Sequence, residues 1–90
     1  MVARQVFYEG RVQGVGFRYT VRHIAKGYDV LGWVRNLVDG RVELQVAGEA
    51  EEVGAFLSAI RESELNSHIR KADEHDIPPL VGVKGFEIRF

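Results

Sequence analysis

From Arg4 to Glu9, Val6 and Tyr8 alternate with Gln5, Phe7 and Glu9, so both faces of an extended segment carry apolar groups. The pattern predicts a strand in the middle of a sheet. Farther along, Phe17, Val21, Ile24, Ala25 and Tyr28 recur at the spacing that gathers side chains on one face of a helix. Gly27 and Gly32 place the end of that helix near Tyr28 or Asp29. Two β-rich runs follow, Leu31 to Val38 and Arg41 to Ala47, joined by Asp39-Gly40, a dipeptide that favours a two-residue type I′ hairpin turn. In the second run Val42, Leu44 and Val46 alternate with Arg41, Glu43 and Gln45, which predicts one buried and one wet face. Gly48-Glu49 opens a second helix. Val53, Phe56, Leu57 and Ile60 share its inner face, and Glu49, Glu51 and Glu52 sit near its positive N-terminal end.

The stretch from Glu62 to Val83 alternates poorly. It is densely charged from Ile69 to Ile77 and closed to regular ladder bonding at Pro78-Pro79, and an edge strand is expected within it. Phe86, Ile88 and Phe90 alternate with Glu87 and Arg89 in a short final strand. The order β-α-β-β-α-β with a short extra strand predicts an α+β, ferredoxin-like sandwich, with both helices on one face of an antiparallel sheet. Trp33, Phe56 and Phe86 fall on the apolar patterns and are expected in the core, while Arg22, Arg35 and Arg41 are expected as solvated charges.

Composition narrows the chemistry. Ninety residues suffice for one domain, 1-90, with one core and a site on its rim. The chain has no cysteine, which excludes thiolate nucleophiles, thiol redox centres, disulfides and cysteine-based metal sites. No apolar run approaches the ~18 residues of a membrane span, and the first residues lead straight into a strand pattern, so the expected location is the cytoplasm. Twelve Lys and Arg against thirteen Asp and Glu leave a formal charge of -1, too little to draw the chain onto nucleic acid or an anionic membrane. Any anionic ligand must be held locally.

The segment Gly10-Arg11-Val12-Gln13-Gly14-Val15-Gly16-Phe17-Arg18 can do that. Glycine permits positive φ, so successive N–H groups can turn inward as an anion-binding nest, to which a helix N-terminus adds unpaired N–H groups and partial positive charge. Donors from Gly14, Val15, Gly16, Phe17 and Arg18 could surround a phosphate-sized oxyanion, with Arg18 closing the cradle through a bidentate fork. Taken alone, the glycines could equally make a tight strand-to-helix connection with Arg18 in solvent. The segment fits neither the Walker A spacing nor the dinucleotide fingerprint.

This segment resembles the phosphate-binding loop of the acylphosphatase family. Gly32-Trp33-Val34-Arg35-Asn36-Leu37-Val38-Asp39-Gly40-Arg41-Val42-Glu43 resembles the second signature of that family, and the likeness returns at Gly85-Phe86-Glu87-Ile88-Arg89-Phe90. The family fold agrees with the order read above. The resemblance implies a hydrolase acting on acyl phosphates, with Arg18 as the phosphate-binding arginine, the loop amides from Gly14 onward as the cradle, and Asn36 orienting the attacking water. It implies no metal and no organic cofactor. The expected partners are a small acyl phosphate and inorganic phosphate as product and inhibitor, with no nucleic acid and no membrane, and a monomer is expected. Asn36 also suits the role chemically: its oxygen accepts from water and its nitrogen donates, with no negative charge to repel phosphate. His23, His68 and His75 have no metal-site spacing. Two rivals remain, a non-catalytic anion-binding module and a single-strand nucleic-acid binder for which Gly16-Phe17-Arg18-Tyr19 would be a signature fragment. Between Glu62 and Pro79 the chain departs from the family pattern, lacking a Gly-Pro turn before the fourth strand.

Overall fold

A computed structural model describes residues 1–90. Its strands are β1 (Val2–Gly10), β2 (Val30–Asn36), β3 (Val42–Gly48), β4 (Ile69–Asp76) and β5 (Phe86–Arg89), and its helices are α1 (Phe17–Ala25) and α2 (Ala50–Arg61), with a 3-10 turn at Glu64–His68. The sheet order is β4-β1-β3-β2-β5. β1 lies between β4 and β3, as its two apolar faces predict, with Val6 opposite Glu74 on one side and Leu44 on the other. The first four strands pair antiparallel, and β5 joins β2 in parallel, making the sheet mixed.

Both helices contribute to one core with the sheet. Phe17, Val21 and Ala25 of α1 and Val53, Phe56, Leu57 and Ile60 of α2 meet Val6, Tyr8, Val34, Val42, Leu44 and Val46. At the centre, the Phe56 ring has Tyr28 at 6.1 Å and Phe86 at 5.5 Å between centroids, so the last strand is fastened to the helical layer. Burying a side chain of this size contributes about 2–3 kcal/mol.

Several expectations need correction. α1 stops at Ala25, earlier than Tyr28, because Lys26, Gly27 and Tyr28 donate to carbonyls three residues back and tighten the chain into turns. Asp39-Gly40 does not form a two-residue type I′ turn. That turn needs positive φ at both central residues, and no non-glycine residue here has positive φ. Instead Leu37 N–H donates to the Arg41 carbonyl at 2.8 Å and Gly40 N–H to the Leu37 carbonyl at 3.2 Å, leaving a three-residue loop with Gly40 at φ 97°.

The second face of β3 is not wet. Glu43 and Ala47 are buried there, and Trp33, also buried, lies on this face and outside the helical core. The chain from Ile77 to Val83 passes over Trp33 and Gln45 on its way from one sheet edge to the other. Arg35 and Arg89 flank the indole, with guanidinium carbons 5.1 and 4.8 Å from the ring centroid. Arg35 is therefore not simply solvated, since it also pairs with Glu43 at 2.9 Å. Arg41 likewise pairs with Asp39 at 2.8 Å and covers the Phe7 ring. The charged stretch does form an edge strand, confined to Ile69–Asp76 and matched by Arg4 to Asp76 and Glu74 across the β1 pairing. No helix is long and apolar enough to cross a membrane.

Candidate active site

The loop between β1 and α1 is pinned at both ends. Val12 is 1% exposed, and Phe17 is 2% exposed with its ring 5.1 Å from Tyr8, so the residues between them must bridge two fixed points on the core's rim. They do so through Gly14 at φ 76° and Gly16 at φ 77°, conformations that L side chains rarely adopt. A Cβ at either glycine would meet nothing within 4 Å, so backbone conformation and not crowding selects glycine here. Gly16 caps α1 without a side-chain hydrogen bond, and the first turn of α1 holds no acidic residue. The N-terminal amides of α1 thus face no internal carboxylate.

Arg18 stands in that first turn. Its Nη1 donates to the Arg89 carbonyl at 3.3 Å and its guanidinium carbon lies 4.8 Å from the Phe90 ring centroid. Arg18 enters none of the protein's ion pairs, so its charge is uncompensated by carboxylate. Asn36, half-buried, ends β2 opposite Val42. Gly14, Gly16, Phe17, Arg18 and Asn36 meet around one cavity of about 200 Å³, together with Val12 and Tyr19. Val15 is not among the lining side chains and is 37% exposed. A larger cleft, about 410 Å³, lies on the opposite sheet face under Ile77 to Val83, and Arg89 is the one charged residue in its lining. The smaller cavity alone combines a cation, a helix N-terminus and an amide.

Tyr19, Gln13 and the last residues of the chain were not assigned to the site by sequence reasoning. Gln13 Nε2 donates to the Leu37 carbonyl at 2.7 Å and to the Arg41 carbonyl at 2.9 Å, tying the loop to the hairpin beyond Asn36. The three histidines stay apart, and no three His, Asp or Glu side chains converge in an arrangement that could hold a metal ion.

Comparison with known proteins agrees with the fold. A family model described as Acylphosphatase matches residues 4–88. The acylphosphatase of Archaeoglobus fulgidus is 37% identical over 89 residues, covering 99% of this chain and 84% of the relative. That of Clostridium beijerinckii is 36% identical over the full length of both chains. The crystal structure of acylphosphatase from Bacillus subtilis superposes with a TM-score of 0.89 at 33% identity, covering 100% of both chains. The same fold accounts for 12% of a longer chain, HypF of T. kodakarensis, at 31% identity, covering 100% of this chain, with a TM-score of 0.85. The chain therefore belongs to the acylphosphatase family and is a hydrolase of that family.

Proposed function

We propose that the 200 Å³ cavity is where this hydrolase binds and cleaves acyl phosphates, with the phosphoryl group held by backbone amides of Gly14, Val15, Gly16, Phe17 and Arg18 and by the Arg18 guanidinium. The observation that carries the reading is the convergence of a glycine loop, an unpaired arginine and Asn36 on one small cavity. The amides and Arg18 accumulate positive potential where charge spreads over the equatorial phosphoryl oxygens in the transition state. Asn36 accepts a hydrogen bond from the attacking water through Oδ1, aiming its lone pair at phosphorus. Water adds to phosphorus as the bond from phosphorus to the bridging oxygen breaks; the electron pair leaves with the carboxylate and the water proton passes to solvent. A carboxylate with a parent pKa of about 4 departs without a general acid, which fits a cavity lacking any acidic side chain or histidine.

Inorganic phosphate, the product, occupies the same cradle as a competitive inhibitor. The protein acts as a single-domain, metal-independent monomer in the cytoplasm, with broad acyl specificity because the donors grip the phosphoryl end. The test compares Arg18→Ala with Asn36→Ala. The first should lose both turnover and phosphate inhibition, and the second should lose about 10²-fold in kcat with phosphate inhibition close to normal. Retained kcat in Asn36→Ala, with lower stability instead, would make Asn36 a turn-supporting residue.

A further inference from the structure

Because β3 lies between β1 and β2, the loop that follows β1 and the residue that ends β2 share no ladder hydrogen bonds. Another contact must set the distance from the Gly14-to-Arg18 cradle to Asn36. Gln13 spans the gap. Both amide protons of Nε2 are used, on the carbonyls of Leu37 and Arg41, at 2.7 and 2.9 Å. Both partners can only accept, so the nitrogen is the atom that faces them. Gln13 immediately precedes Gly14, Leu37 immediately follows Asn36, and Arg41 immediately precedes Val42, the partner of Asn36 in the β2–β3 register. The two acceptors are also the two ends of the hairpin loop, already joined by the Leu37 N–H bond to the Arg41 carbonyl. One half-buried side chain thus ties the first glycine of the cradle to both sides of the turn beyond Asn36.

We propose that Gln13 is a positioning residue for hydrolysis, acting through Asn36 by holding the water-orienting amide at a fixed distance from the bound phosphoryl group. The inference rests on the reading of Asn36 given above. A water displaced by about 1 Å from its line of attack costs up to about 10²-fold in rate, whereas the cradle, anchored separately by Val12 and Phe17, keeps its grip on phosphate.

Gln13→Met keeps length and apolar contact but removes both donors. It should lower kcat about tenfold or more while the competitive inhibition constant of inorganic phosphate stays within about threefold. In an Asn36→Ala background the same change should cost less than about twofold, because residues acting as one unit are not additive. Gln13→Glu supplies a readout within a single folded protein. Ionised, its carboxylate repels the two carbonyls, while protonated it donates one hydrogen bond, so its kcat relative to wild type should rise as pH falls through the carboxyl range near ~4. Wild-type kcat in Gln13→Met, a full multiplicative loss in the Asn36→Ala background, or a pH-independent Gln13→Glu ratio each overturns the proposal. If Asn36→Ala alone retains kcat, the water-orienting reading fails. If it loses kcat and the Gln13 variants do not, only the positioning role fails.

Discussion

Glu43 is the one buried charged residue, on the reverse face of the strand pair that carries Asn36, and Glu43→Gln measures what holds that face together. Oε1 accepts from Arg35 Nε at 3.0 Å and pairs with Nη2 at 2.9 Å, while Oε2 accepts from Gln5 at 2.7 Å and Gln45 at 3.1 Å. A glutamine in either orientation turns its NH₂ toward the guanidinium or toward two other amide donors, so two acceptances are lost whichever way it lies. Removing one partner of a buried pair costs about 3–5 kcal/mol, but the Arg35 side chain is 47% exposed and partly rehydrates, which lowers the expectation to about 2–3 kcal/mol. With an unfolding entropy of about 2.1 cal/mol/K per residue over 90 residues, the melting temperature should fall by about 10–15 °C at pH 7. Burial pushes the Glu43 carboxyl up, and hydrogen bonds from Gln5, Gln45 and Arg35 together outweigh that and hold it below the usual carboxylate range. With a depressed folded-state pKa, the stabilisation is complete above the unfolded pKa and is lost as pH falls through the folded one. Thermal unfolding followed by circular dichroism should therefore show the gap between wild type and variant narrowing in acid. A loss below about 0.5 kcal/mol at pH 7, or a gap that does not narrow, would mean that the Glu43 carboxylate does not hold this face together.

Arg18→Ala should fold normally and lose about 10²- to 10³-fold in kcat/KM, with Arg18→Lys recovering little because a point charge does not replace a planar fork; steady-state kinetics with circular dichroism on the same sample checks this. Inorganic phosphate at about 100 times its Kd should stabilise wild type by about 2.7 kcal/mol, and a thermal shift assay should find that gain absent in Arg18→Ala. Phe90→Ala removes the ring beneath the Arg18 guanidinium and should weaken phosphate inhibition by about two- to fivefold, the equivalent of about 0.5–1 kcal/mol. Dialysis against a metal chelator should leave kcat unchanged, and loss of activity restored by a divalent cation would reject the metal-independent mechanism.

Both helices, four of the five strands and the two segments that line the cavity were legible because each leaves a local mark, such as the 3.6-residue recurrence from Phe17 to Ala25, the alternation from Val42 to Val46, and glycines at Gly14 and Gly16, whereas β4 was legible only as an edge strand somewhere in a poorly alternating, charged stretch. Tertiary cover left no such mark. The alternation through Glu43 and Gln45 identifies a second face but cannot tell that Ile77 to Val83 crosses it, so that face reads as wet although Trp33, Glu43 and Ala47 are buried on it. Arg22 is exposed as read, whereas Arg35 and Arg41 owe their places to partners across the sheet or distant in the chain, Glu43 for Arg35 and the Phe7 ring for Arg41. Gln13 carries no legible role within its motif, because its importance depends on β3 separating β1 from β2, a property of topology and not of spacing. The Arg18 contacts with Arg89 and Phe90 likewise join the start of one helix to the end of the last strand.

In the proposed mechanism water, oriented at Asn36, attacks phosphorus held at Arg18. Hydrolysis of benzoyl phosphate in water enriched in oxygen-18 tests it directly, with both products analysed by mass spectrometry. Attack at phosphorus predicts one labelled oxygen in each released phosphate and an unlabelled benzoate, with release lost in Arg18→Ala. Label in the benzoate would mean attack at the carbonyl carbon and would rule out this mechanism.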